Sequence, residues 1–144
     1  MAHEDAGHYA GKHPEGTRMD PEIADAVRAA ARDGKVGCAA AHAIARELNV
    51  EPEQVGVTID LLEYRIERCQ LGLFGYGLKK GIVEPADPVD PDLKQAVEEA
   101  APGNRITCAA CWEIAKRFNR PKMAVAAVCE ALSVKIKECQ LGSF

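Results

Sequence analysis

Cys108-Ala-Ala-Cys111 is the stretch of this chain whose residue types and spacing are best suited to chemistry. Two thiols three positions apart at the start of a helix share one turn. Thiolates and imidazole are ligands that zinc prefers. A helix N-terminus also lowers a thiol pKa, which favours metal binding or redox exchange. Cys38 has a different neighbour one helical turn on, His42, and Cys69 and Cys139 lie further along. Core packing is the competing explanation and the stronger one, because cysteine is a small side chain that is often buried. A single Cys-x-x-Cys is a weak motif. Three more histidines, His3, His8 and His13, recur every five residues near the N-terminus. That spacing fits no one helix face, so a loosely draped polar arm is expected there.

The cysteines repeat because the chain repeats. "CQLGLF" at 69–74 returns as "CQLGSF" at 139–144. Shifting the sequence by 70 positions matches 20 of the 55 residues from 20 to 74 without a gap. Cys38 falls on Cys108, Asn49 on Asn119 and Ile66 on Ile136. An ungapped match of this length marks two copies of one structural unit. Cys111 falls on Ala41 and Cys129 on Ile59, so those positions accept plain hydrophobes. The shared Cys-Gln-Leu-Gly-x-Phe segment is expected to close each unit, with Leu71, Leu141, Phe74 and Phe144 folding back onto that unit's helices.

Bulk properties bound the function. A chain of 144 residues holds one ordinary domain or two small ones. Hydrophobic content of 47% and charged content of 28% suit a soluble globular protein. No apolar run approaches the roughly 18 residues that would span a membrane. The N-terminal stretch lacks the apolar core of a secretory signal, so a cytoplasmic location with reduced cysteines is expected. A net charge of −4 does not favour nucleic acid, whose binding rests on neutralising phosphates.

Each copy opens on Asp-Pro, an N-cap followed by a residue suited to the first helical position. Ile23, Ala26, Val27 and Ala30 form the apolar stripe of a first helix that Gly34 ends. A three-residue strand follows, "KVG" or "RIT". Next come a second helix closed by Asn49 or Asn119, a tight turn, and a third helix with Val55, Ile59 and Leu62 inward. A second strand, "RIERCQL" or "VKIKECQL", should face Ile66 and Arg68 away from Arg65, Glu67 and Cys69. The expected division is an N-terminal arm at 1–19, repeat 1 at 20–80, a stiff linker at 81–89 holding Pro85 and Pro88, and repeat 2 at 90–144.

This order of elements resembles the winged helix-turn-helix fold, over 20–80 and 90–144. The fold class expected is mainly α with small β-sheets (α+β), as two tandem winged-helix-like repeats. The resemblance implies antiparallel pairing of the two strands and a truncated wing in the second copy. It would bring Cys38 near Cys69 and Cys108 near Cys139. Two ligand sets then arise: Cys38, His42 and Cys69; Cys108, Cys111 and Cys139. Each has three ligands where a structural zinc site takes four.

Winged-helix proteins usually set the third helix in the DNA major groove. Here that helix in the first copy carries Glu51, Glu53, Asp60 and Glu63, with Gln54 and Thr58 as the only candidates for base contact. The second copy is more basic, with Arg117, Arg120 and Lys122 around its turn, and Lys79 and Lys80 lie in the wing. Trp112 and Tyr76 are candidate partner contacts, since aromatic side chains are enriched at binding hot spots. No phosphate-binding loop, nucleophile elbow or acid–base pair is present. The leading expectation is a non-catalytic regulatory or adaptor module that binds a protein or itself. It needs no cofactor, no membrane and no small-molecule substrate. A DNA-binding regulator is the first alternative. A cysteine-based zinc or redox sensor is the second.

Overall fold

In a computed structural model of the chain, residues 9–77 and 81–144 are described. The first copy runs α1 (Pro21–Ala30), β1 (Lys35–Gly37), α2 (Cys38–Leu48), α3 (Pro52–Leu61) and β2 (Arg65–Glu67). The second runs α4 (Pro91–Ala100), β3 (Arg105–Thr107), α5 (Cys108–Arg117), α6 (Lys122–Ala131) and β4 (Lys135–Lys137). Among the described residues these are six α-helices and two two-stranded sheets, the mainly α, α+β class expected.

Local chemistry explains the boundaries. The Asp20 carboxylate accepts from the backbone N–H of Glu22 and Ile23 at 2.9 and 3.4 Å, with Pro21 next in line. Asp90 does the same for Asp92 and Leu93. Helix α1 stops at Ala30, short of Gly34. Asp33 and Gly34 instead form a two-residue reversal with φ of 52° and 73°. Arg32 and Lys35 exchange both backbone hydrogen bonds across it, each at 2.9 Å. An Asp-Gly pair suits such a turn because both central residues need positive φ. Ile23, Ala24 and Val27 bury the inner face of α1, with Ala26 only half-buried. Asn49 closes α2 in the left-handed conformation as expected, and the Val50 N–H reaches back to the Ala45 carbonyl at 3.0 Å. The Glu51 and Gln54 side chains form a reciprocal cap at the start of α3.

The duplication extends to the backbone. Residues with positive φ recur 70 positions apart: Asn49 and Asn119, Glu63 and Ser133, Arg68 and Glu138, Gly72 and Gly142. The strand registers repeat as well. Val36 lies beside Ile66 and Ile106 beside Ile136, at the centre of each ladder.

Both ladders are parallel, which corrects the antiparallel pairing implied by the winged-helix resemblance. A parallel pair needs a long crossover between its strands. The α2–α3 and α5–α6 helix pairs provide it by returning the chain to the end where the first strand began. The alternation expected through Cys69 also fails. Arg68 and Glu138 take φ of 52° and 53°, which ends each strand, and Cys69 is buried instead of facing outward with Arg65.

The chain forms two compact units, divided differently from the sequence expectation. Unit 1 holds the described residues up to Cys69 together with Gln140–Phe144; unit 2 holds those of Gln70–Cys139. The Cys-Gln-Leu-Gly-x-Phe segments therefore do not close their own repeats. Leu141 is buried in unit 1 and Leu71 in unit 2. On α3 a Cβ at Gly56 would overlap the Leu141 backbone carbonyl, so glycine is what lets the tail lie against the helix. Phe144 is 39% exposed and does not fold back as expected. The segment read as a linker is part of unit 2, where Ile82 N–H bonds the Gly72 carbonyl and Ala86 N–H bonds the Ala127 carbonyl.

The N-terminal segment is docked from Tyr9 onward, correcting the loosely draped arm. Tyr9–Lys12 form a 3-10 turn with Tyr9 buried. The Glu63 carboxylate accepts from the N–H of Tyr9 and Ala10 at 2.7 and 2.8 Å. His13 Nε2 and Lys12 Nζ approach the same Asp60 carboxylate oxygen at 2.8 and 3.2 Å. His3 and His8 lie outside the described residues.

Candidate protein-binding corner and the cysteine positions

Four of the residues proposed for binding, Trp112, Arg117, Arg120 and Lys122, lie on α5, at the start of α6 or on the turn between them in unit 2. Thr107 starts α5 by accepting from the Ala110 N–H at 3.1 Å. After Arg117 the chain reverses at Asn119, whose φ is 50°, and Arg120 N–H bonds the Ala115 carbonyl at 2.9 Å. Lys122 then opens α6, and its Nζ lies 4.4 Å from the centroid of the half-buried Trp112 ring. Arg117 lies 4.6 Å from the centroid of the Phe118 ring. Two cation–aromatic contacts thus flank one turn. Unit 1 has no equivalent. Its counterpart of Trp112 is the buried His42, and the counterparts of Arg117, Phe118 and Lys122 are Glu47, Leu48 and Pro52.

Acid groups interrupt the positive charge of this corner. Arg120 donates to the Asp90 carboxylate at 2.9 Å. That hydrogen bond, helped by the N–H groups of Asp92 and Leu93, holds the Asp90 carboxyl below its ordinary range. Arg117 and Phe118 share a shallow groove between α4 and α5 with Asp92, Gln95, Ala96 and Glu99. Lys79 and Lys80 lie outside the described residues. Tyr76 is half-buried in unit 2, away from full exposure.

The third helices are buried along one face. Val55, Gly56, Thr58, Ile59 and Asp60 of α3 are buried, as are Val125, Ala126, Val128 and Cys129 of α6. Both residues singled out for base contact are occupied within the chain. The Thr58 hydroxyl donates to the Gln54 carbonyl at 3.1 Å, and the Gln54 side chain accepts from the Glu51 N–H at 3.1 Å.

Five of the six cysteines are buried, Cys139 being half-buried. In each unit the two repeated cysteines follow the same end of the parallel ladder: Cys38 and Cys69 after β1 and β2, Cys108 and Cys139 after β3 and β4. Among the described residues, no three His, Cys, Asp or Glu side chains converge as a metal-binding group. Cys111 is hydrogen-bonded to Cys129 of α6, a pairing that sequence reasoning missed. That bond, together with burial, raises the Cys111 thiol far above its ordinary range. The signal was available: both residues replace hydrophobes of the first copy, at inward positions of adjacent helices. No helix of the described residues is long and apolar enough to cross a membrane.

No protein-family model, curated protein or solved structure matches the chain.

Proposed function

We propose that the chain is a non-catalytic adaptor or regulatory module, acting in the cytoplasm, that binds another protein through the α5–α6 corner of unit 2. The observation that carries this reading is the half-buried Trp112 with Lys122 held over its ring. Tryptophan and arginine dominate binding hot spots, and α5 carries both, Trp112 under Lys122 and Arg117 against Phe118. The corner is peculiar to the second copy, as expected of a surface that took on a task after duplication. The helix order is what supports a likeness to tandem winged-helix units, and the parallel ladders count against it. A DNA-binding role receives less support, because Gln54 and Thr58 already make hydrogen bonds within the chain and acids flank the basic residues.

The test is a pull-down with the full chain as bait, repeated with Trp112→Ala and Lys122→Glu. A stoichiometric protein partner that survives high salt and is lost with Trp112→Ala is the expected result. Retention on heparin or duplex DNA that falls steeply with salt, and is unaffected by Trp112→Ala, would instead establish the nucleic-acid reading.

A further inference from the structure

We infer that the α3 face of unit 1 is a peptide-docking site whose ligand is the segment Gln140–Phe144, and that it accepts this segment from a second copy of the chain. The inference concerns unit 1 alone and does not depend on the partner taken by the α5–α6 corner.

Three observations describe a built acceptor. Gly56 is buried on α3, and a Cβ there would overlap the Leu141 backbone, so the helix has a gap shaped for a passing chain. Leu141, at 2% exposure, anchors the segment. Lys12 Nζ donates to the Gly142 carbonyl at 3.0 Å while also contacting Asp60, so the docked N-terminal segment forms a wall of the site.

The segment is attached to this site only through unit 2, since Gln70–Cys139 lies between it and the rest of unit 1. The first copy behaves alike: the chain continuing from Cys69 belongs to unit 2. In both copies, then, the residues after the second strand leave their own unit. Nothing in the contacts at Gly56 distinguishes a tail of the same chain from that of another. Exchange of an identical element is a low-cost route to a dimer. The hold is moderate: Phe144 is 39% exposed, and the buried Ser143 hydroxyl has no hydrogen-bond partner. Tethering favours the closed monomer through an effective concentration on the order of millimolar, so exchange should grow with protein concentration.

The experiment uses two full-length variants. Leu141→Ala has an intact acceptor and a broken ligand. Gly56→Val has an intact ligand and a blocked acceptor. Light scattering after size-exclusion chromatography should find each variant monomeric and their mixture forming a one-to-one complex. The peptide ECQLGSF, added to the Leu141→Ala chain, should restore amide protection in α3. This second readout works even where that variant is loosened in unit 1. A mixture that stays monomeric, a complex that persists when both chains carry Leu141→Ala, or α3 exchange indifferent to saturating peptide would each overturn the inference.

Discussion

Replacing Leu141 with alanine should loosen a unit other than the one that supplies the neighbouring strand. Leu141 lies four residues beyond Lys137, the end of β4 in unit 2, yet its side chain is buried in unit 1 at 2% exposure. Leucine-to-alanine changes at buried sites cost about 2–5 kcal/mol, with the spread set by how far the surroundings collapse. Gln140–Phe144 is a short segment bordered by the exposed Phe144, so water can reach part of the void. That places the cost toward the lower part of the range, about 3 kcal/mol. Native-state hydrogen exchange reads this region by region. If α3 opens with unit 1, its most protected amides, such as Ile59, should exchange roughly a hundredfold faster, at about 1.4 kcal/mol per factor of ten. Amides of β3 and β4 should hold their wild-type rates. Faster exchange confined to β3, β4 and α6, with α3 unchanged, would refute the reasoning.

Other perturbations probe separate parts of the fold. Gly56→Ala gains about 1 kcal/mol of helix propensity, but its Cβ collides with the Leu141 backbone. Urea denaturation should therefore show a net loss of about 1–3 kcal/mol, where propensity alone predicts a gain. Cys129→Ile alone should overpack against Cys111, whereas the double change Cys111→Ala with Cys129→Ile installs the residues unit 1 carries at these positions. The double variant should unfold within about 1.5 kcal/mol of wild type, and a cost equal to the sum of the single changes would count against the contact. Asp90 has a lowered pKa in the fold, so its contribution to stability is present above the ordinary value of 3.8 and lost as pH falls through the lower folded one. Arg120→Ala should move the Asp90 titration, followed by NMR, upward toward 3.8 and reduce the pH dependence of stability below that value. An unmoved titration would mean that the Arg120 bond does not set it.

Much of the element order could be read from residue types, because local chemistry fixed it. Asp20 and Asp90 cap their helices, Asn49 and Asn119 close theirs, and the apolar residues Val36, Ile66, Ile106 and Ile136 mark the strand centres. Strand direction could not be read. Three residues give no register or polarity signal, and the direction follows from where the two-helix crossover delivers the chain. The unit boundary was also hidden. Leu71 and Leu141 look alike in sequence, and burial alone does not say which helices cover them. The clue lay in Gly56, a glycine inside a helix where the second copy has Ala126. Such a residue costs about 1 kcal/mol relative to alanine and calls for a close backbone approach to explain it. The docking of Tyr9 and His13 depended on Asp60 and Glu63, which read as ordinary exposed carboxylates until the fold brought the N-terminal segment to them.

What the two copies share and where they differ separates scaffold from task. Positive φ at Glu63 and Ser133, and at Arg68 and Glu138, has no basis in side-chain preference, since none of these residues favours the left-handed region for itself. Its repetition at the same offset means that the backbone path is inherited and that packing holds it whatever residue occupies the position. Side chains on that path were therefore able to change independently. They did so at two places in particular: Asp60, buried under Lys12 and His13 where the second copy exposes Glu130, and Trp112, half-buried beneath Lys122 where the first copy fully buries His42. One change encloses the third helix of unit 1 under its own N-terminal segment. The other gives unit 2 an aromatic and cationic corner. Divergence in opposite directions at these positions is what two different tasks would leave, so the binding proposed for unit 2 and the docking proposed for unit 1 are argued from different changes on one duplicated frame.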